Sequence, residues 1–199
     1  MQLARSAPEW RRVVAQQPDD AMSAWGGRAG VGLRLSTRVD GDFHLDQDPE
    51  ALELRRRAFV DLPWSQPDEV HGTDVAVVRH PGDADRRRTD ALVTDVAGSV
   101  IGIWVGDCAP VAMVSESGRI GGVHAGWRGL RDGVIGNAVG RTVDGRPALD
   151  MPTAVRQALH DVGVTSQTSA LCTGCRGDRY FSHRARGERE RMVLAVWKP

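Results

Sequence analysis

The chain has 199 residues, 26 Lys+Arg against 26 Asp+Glu, 41% hydrophobic residues and three cysteines. That length is enough for one domain to bury a core without disulfides, and the composition is that of an ordinary soluble globular protein. Balanced charge gives no case for nucleic acid or an anionic membrane, no apolar run approaches the roughly 20 residues of a membrane span, and an odd, scattered set of cysteines is no disulfide framework. The start, Met1-Gln2-Leu3-Ala4-Arg5, lacks the apolar stretch of a secretion signal, so the cytoplasm is the expected compartment. The arginine clusters at Arg55–Arg57 and Arg86–Arg88 read as a solvated helix face and a solvated loop.

In chain order, residues 1–28 are the least readable, with a short helix expected over Glu9–Gln17 after Pro8. Val31, Leu33 and Leu35 alternate with Gly32 and Arg34, a strand pattern. Asp48 before Pro49 is an N-cap followed by proline at the first helical position, and that helix runs to about Phe59. Short apolar runs follow at Val75–Val78, Ala91–Thr94, Val100–Val105, Val111–Val114 and Ile120–Val123. Only a few residues separate several of them, so they are expected to form a mixed or antiparallel sheet. A helix is expected from about Gly129 to Val139 and another from Pro152 to Gly163, with strands over 168–172, 179–184 and 191–197. The fold class is α+β, read as a single domain over 1–199.

Three segments carry the chemistry: Val70-His71-Gly72-Thr73, Gly106-Asp107-Cys108-Ala109-Pro110, and Val123 through Gly129. Each lies where a strand meets a turn, a place where rigidly held side chains converge on a cleft. Cys108 by itself reads as a small buried hydrophobe, and His71 by itself as a hydrogen-bonded turn histidine. Asp107 shifts that balance, because a carboxylate at the end of a buried strand is costly without a task or a partner. His124 ends a strand and precedes a turn of small residues, so nothing bulky shields it. Together His71, Cys108 and His124 offer one thiolate and two imidazoles, the three-ligand set of a catalytic zinc with an open fourth position. Copper accepts the same ligands.

Asp107 is the candidate general acid/base. Arg128, between Gly126 and Gly129 at the start of the expected helix, is a candidate anion binder or a structural ion-pair partner. Trp127 is either a pocket wall or core. Cys172-Thr173-Gly174-Cys175 is a C-x-x-C with no second copy, and it follows a strand rather than opening a helix. Both a zinc ribbon and a redox pair are therefore set aside.

His71-Gly72, Thr89-Asp90-Ala91-Leu92-Val93-Thr94, Asp107-Cys108-Ala109-Pro110 and His124-Ala125-Gly126-Trp127-Arg128-Gly129, in this order, resemble the YfiH-like (laccase-domain) family. The likeness extends to Ser36-Thr37-Arg38, Pro147-Ala148-Leu149-Asp150, Cys172-Thr173, Tyr180-Phe181-Ser182-His183-Arg184 and Arg191-Met192. The resemblance implies a layered α/β sandwich with mixed sheets, related to cysteine hydrolases. It also implies metal ligands at His71, Cys108 and His124, with zinc as cofactor and copper as the alternative. The implied activity is phosphorolysis of adenosine, inosine or methylthioadenosine, with deamination of adenosine. Catalytic roles would then fall on Asp107, Cys108, Arg38 and Arg128, and substrate or phosphate binding on Arg38, Arg128 and Arg184. Alternatives within the resemblance are amide hydrolysis on a peptidoglycan precursor, copper polyphenol oxidation, and a degenerate metal-binding homologue. The partners expected are a small nucleoside and phosphate, with the oligomeric state left open. Two departures stand out. A family segment with a Gly-Pro-x-Ile turn and a Cys-Tyr-Glu-Val string is missing between Val139 and Pro147. The family's Tyr-Arg-Arg and Thr-Gly-Arg are here His183-Arg184-Ala185 and Arg189-Glu190-Arg191.

Overall fold

The computed structural model describes residues 10–15, 30–115, 118–128, 130, 139–141, 147–149, 151–161, 163–168 and 172–199. Twelve strands are named among them in chain order. They are β1 (Trp10–Ala15), β2 (Gly32–Leu35), β3 (Trp64–Ser65), β4 (Val75–Val77), β5 (Ala91–Thr94), β6 (Ser99–Val105), β7 (Ala109–Ser115), β8 (Ile120–Ala125), β9 (Val139–Arg141), β10 (Pro147–Leu149), β11 (Ser166–Thr168) and β12 (Met192–Lys198). The helices are α1 (Pro49–Phe59), α2 (Met151–Asp161) and α3 (His183–Arg186).

One sheet has the order β11-β1-β7-β8-β5-β4, a second the order β2-β12-β6-β3, and β9 and β10 pair as a hairpin. Both larger sheets are mixed. In the first, β1–β11 and β4–β5 run parallel while β1–β7, β7–β8 and β5–β8 run antiparallel. In the second, β12 is antiparallel to β2 and β6, and β3 is parallel to β6.

The sequence places these sheets face to face because the central strands are apolar on both sides. On β12, Met192, Leu194 and Val196 join a core with Leu92, Ile101, Ile103, Ala112 and Ile120, which come from both sheets. The alternate residues Val193 and Ala195 point the other way and pack with Phe43, Leu52, Phe59 and Trp64, beneath α1. On the far side of the six-stranded sheet, Val111 and Ala125 pack with Ala154 and Val155 of α2. The result is four layers, helix, sheet, sheet and helix, and it bears out the α+β, mixed-sheet reading. Truncating a Leu or Ile in the central layer to alanine costs about 2–5 kcal/mol, a large part of a domain's stability. Gly122 lets the sheets close up, since a Cβ there would lie 2.7 Å from Ile101 and Ile103 side chains.

Local signals set several boundaries. The Asp48 carboxylate accepts the Ala51 N–H at 3.0 Å and Pro49 opens α1, as the sequence predicts. The five apolar runs from Val75 to His124 are β4 to β8, and 191–197 is β12.

Two expectations are corrected. Residues 10–15 form a strand, not a helix, because β1 is clasped between β7 and β11 and long-range pairing outweighs a weak local preference. Residues 179–184 form no strand either. Ser182 caps α3 there by accepting the Ala185 N–H at 3.2 Å. The strand expected over 168–172 ends at Thr168 in β11, and residues 169–171 lie outside the described set. Most of the helix expected over Gly129–Val139 lies outside it too, and Val139 opens β9. Among the described residues, no helix is long and apolar enough to cross a membrane.

Candidate metal centre

Three backbone segments deliver the triad. His124 follows Ile120 and Gly122 on the inward-facing side of β8 and is 5% exposed. Cys108 immediately precedes β7, which pairs with β8 so that Pro110 lies opposite His124. His71 sits in the loop before β4, at φ 60°, in the left-handed region that non-glycine residues rarely occupy. Their potential ligand atoms all lie within 4.8 Å of one another. Cys108 Sγ is 3.7 Å from His71 Nε2, and the two imidazoles meet edge to face with centroids 4.7 Å apart. Ligands at zinc bond lengths in a tetrahedron are separated by about 3.3–3.8 Å, so the donor set fits such an ion with small adjustments. Gly126 is what admits both rings. A Cβ there would lie 2.6 Å from His71 Cδ2 and 3.2 Å from His124 Cε1.

Asp90 holds two of the three ligands in place. One of its carboxylate oxygens accepts the His71 N–H at 2.8 Å and the other the Gly72 N–H at 2.7 Å. These bonds hold His71 in its left-handed conformation. Asp90 Oδ1 also lies 2.8 Å from His124 Nδ1. A carboxylate can only accept, so Nδ1 carries the proton and Nε2 is left with its lone pair for a metal. Burial works against the charged form of Asp90, but His124 and the Gly72 and His71 N–H groups outweigh it and hold the carboxyl below its ordinary range.

The surroundings favour a neutral imidazole at His71 and an uncharged thiol at Cys108. Burial and the neighbouring His124 lower the pKa of His71. Burial, with the charges of Glu69 and Asp107, pushes the Cys108 thiol up to about 11. Glu69 is itself a buried acid, with Oε2 3.6 Å from His124 Nδ1 and Oε1 accepting the Trp104 N–H at 3.0 Å. Burial drives its pKa well up; the Trp104 N–H opposes this and the Asp90 charge reinforces it.

Asp107 is engaged by three donors. It accepts Ser182 Oγ at 2.5 Å, Thr173 Oγ1 at 2.9 Å and the Arg184 N–H at 2.8 Å. Burial opposes its charge, yet these donors outweigh it and lower its pKa. Asp107 therefore ties the segment before Cys108 to the start of α3. Arg184 is exposed, and its charge reaches Asp107 and Cys108. The charge of Arg128 reaches His71, and its guanidinium lies 5.3 Å from the ring of Trp127, which is 43% exposed.

Arg38 is committed elsewhere. It pairs with Glu188, donates Nε to the Tyr180 carbonyl at 3.2 Å and lies over Phe181. Glu188 in turn accepts the Ser182 N–H at 2.7 Å, so Arg38 touches the site only through Glu188, Ser182 and Asp107. Partial burial disfavours the charged form of Glu188, but Arg38, the Ser182 N–H and Arg186 outweigh it and bring its pKa from the ordinary 4.5 down to about 2. A carboxylate with a depressed pKa stabilises the fold above its unfolded value and loses that contribution as it is protonated. Urea unfolding of wild type and Glu188→Gln should therefore differ most at neutral pH, and the two should converge as pH falls from 4.5 to about 2. A gap that stays constant across that range would mean the Glu188 charge contributes nothing.

Sequence reasoning missed Asp90, Glu69 and Arg191. Asp90 stood inside a quoted motif, and a lone acid just before an apolar strand was the available signal. Arg191 Nη1 bonds the carbonyls of Glu188, Arg189 and Glu190, and its charge reaches both Cys108 and Glu69.

The family model described as multi-copper polyphenol oxidoreductase laccase matches residues 28–144 and 140–199. The chain belongs to this YfiH-like, laccase-domain family. The family match comes in two parts that overlap at 140–144. Purine nucleoside phosphorylase YfiH of Escherichia coli is 29% identical over 200 residues, covering 85% of this chain and 80% of that one. A protein named purine nucleoside phosphorylase in Corynebacterium glutamicum is 33% identical over 107 residues, 49% of this chain and 44% of its own. The chain thus spans less than half the length of some curated relatives it matches. The crystal structure of YlmD from Geobacillus stearothermophilus superposes with a TM-score of 0.74 at 24% identity, covering 100% of this chain and 98% of that one. That likeness establishes the shared fold.

Proposed function

We propose that this YfiH-like chain is a zinc-dependent purine nucleoside phosphorylase, taking a nucleoside such as adenosine, inosine or methylthioadenosine with phosphate as co-substrate. The observation that carries it is the convergence of His71, Cys108 and His124 in a chain whose relatives bear that name. His71, Cys108 and His124 would hold the zinc, which when bound would supply Lewis-acid positive charge to the site.

The chain's own residues do the rest. Arg128, whose charge reaches His71, and Arg184, whose charge reaches Cys108, bind the phosphate and hold it against the anomeric carbon. The C–N glycosidic bond breaks as the new C–O bond forms, and the proton of hydrogen phosphate ends on the departing purine, giving free purine and the sugar 1-phosphate (ribose 1-phosphate from adenosine or inosine). The exposed face of Trp127 stacks the purine. Asp107 acts in its ionised form as a positioning carboxylate for Arg184, since three donors already occupy it. Arg38 acts at one remove, by holding Glu188 and through it Ser182.

The test is incubation of the purified protein with adenosine, with and without phosphate. Adenine and ribose 1-phosphate appearing only with phosphate supports the reading. Inosine instead would reassign the site to deamination, and no turnover of any nucleoside would overturn the proposal. The resemblance implies a shorter segment between Val139 and Pro147 than the family carries, so turnover is expected to be weak with a high KM, as a more open pocket admits water and weakens each charge contact. Elemental analysis separates zinc from copper.

Arg128→Lys should lower phosphate-dependent kcat/KM about 10–100-fold, the loss of one charge-assisted bidentate contact, since lysine offers no planar fork. The melting temperature should stay within a few degrees of wild type. Activity falling only in step with lost folded protein would show that Arg128 is structural.

A further inference from the structure

Cys172 and Cys175 take no part in the metal cluster, and the function proposed above makes no use of them. Both are free and exposed. They bracket a tight turn in which the Arg176 N–H closes onto the Cys172 carbonyl at 3.1 Å. The Cys172 sulfur folds back over this turn: a Cβ on Gly174 would lie 3.6 Å from it. The Gly174 and Cys175 N–H groups and the Cys175 thiol lie near enough to act on its charge.

The turn is fastened from outside. Arg186 donates to the carbonyls of Gly174 at 2.9 Å and Thr173 at 3.3 Å, and Thr173 Oγ1 donates to Asp107 at 2.9 Å. The turn that carries both cysteines is therefore fastened to α3 and to Asp107.

We propose that Cys172 and Cys175 form a redox-active dithiol, a thiol–disulfide exchange site open to small-molecule disulfides and separate from the metal centre. The spacing in the sequence argues against such a pair because no helix N-terminus follows to support a thiolate. The turn supplies those donors instead. Burial works against the Cys172 thiolate, but the Cys175 N–H and thiol and the Gly174 N–H outweigh it and hold Cys172 below the ordinary cysteine range. Cys175 is pushed the opposite way by the same contact with Cys172. One cysteine is thus set to attack and the other to resolve, whereas Cys108 is half-buried with its thiol raised to about 11.

The exchange balances as follows. The Cys172 thiolate attacks one sulfur of a disulfide RS–SR, the S–S bond breaks, and RS⁻ leaves to be protonated by solvent. Cys175 then gives its proton to solvent and attacks the Cys172 sulfur, and the second RS⁻ departs. The protein loses two electrons and two protons, and the small disulfide is reduced to two thiols.

Oxidised glutathione is the probe, applied to the full chain as isolated and followed by mass spectrometry without reductant. Wild type should lose two hydrogens, about 2 Da, with a Cys172–Cys175 crosslink and no retained glutathione. Cys175→Ser should keep one glutathione, on Cys172, with metal per chain unchanged, and Cys172→Ser should take up glutathione at Cys175 more slowly, at the rate of an ordinary exposed thiol. Modification of Cys172 should run at least about 10-fold faster than that of Cys108, as expected of the more thiolate-like group. Glutathione retained by wild type at either position, Cys108 reacting first, or metal lost from Cys175→Ser would each overturn the proposal.

Discussion

Cys108→Ser is expected to leave the purified chain without stoichiometric metal and without nucleoside turnover. A thiolate is the strongest donor of the set, and a serine hydroxyl stays protonated and binds a borderline-soft ion poorly. Loss of a partner that merely orients a ligand costs roughly 10–100-fold in metal affinity, so loss of the ligand itself should cost more than that. The fold should tolerate the change. Cys108 is half-buried at the margin of the central core, and replacing one sulfur by oxygen there falls in the ordinary range of about 1 kcal/mol. Elemental analysis alongside a thermal melt checks both halves. One metal retained per chain in the variant would remove Cys108 from the site, and a collapse in melting temperature would make it a packing residue.

The second large effect is expected at Asp90. In Asp90→Asn the side chain keeps its shape but exchanges one acceptor oxygen for an NH₂ group. That group then faces a donor, either the Gly72 N–H at 2.7 Å or the His71 N–H and His124 Nδ1 at 2.8 Å. One side of the arrangement must give way. If His124 loses its partner, Nδ1 is no longer obliged to carry the proton and the tautomer that presents Nε2 is no longer enforced. If the loop loses it, His71 is no longer held in its left-handed conformation. Either way metal affinity should fall about 10–100-fold. A buried N–H without its acceptor also costs roughly 1–3 kcal/mol of stability. A chelator-competition titration measures the first effect and denaturant unfolding the second. Affinity within twofold of wild type would show that Asp90 is a loop clasp with no influence on the ligands. The two variants differ in a useful way, since Cys108→Ser should separate metal loss from stability while Asp90→Asn should lower both.

The sequence by itself determined the elements whose signals are local. The Asp48-Pro49 cap announces α1 because an N-cap carboxylate acts within one helical turn. The runs at Ala91–Thr94, 100–105 and 191–197 announce strands because a strand buried on both faces has no polar side to show. The candidate metal ligands were legible as residue types at strand ends, and as strings shared with a family. Tertiary structure decided what depends on distant partners. β1 is a strand because β7 and β11 flank it, one about a hundred residues away. Arg38 stands in a quoted motif, yet its guanidinium is taken up by Glu188, 150 residues on. Asp107 reads as a catalytic acid until Thr173, Ser182 and Arg184 arrive to saturate it. Asp90 gains its role from His71, 19 residues before it, and His124, 34 after. A carboxylate's chemistry is set by the donors and the burial around it, and for these acids both come from chain segments that only folding brings near.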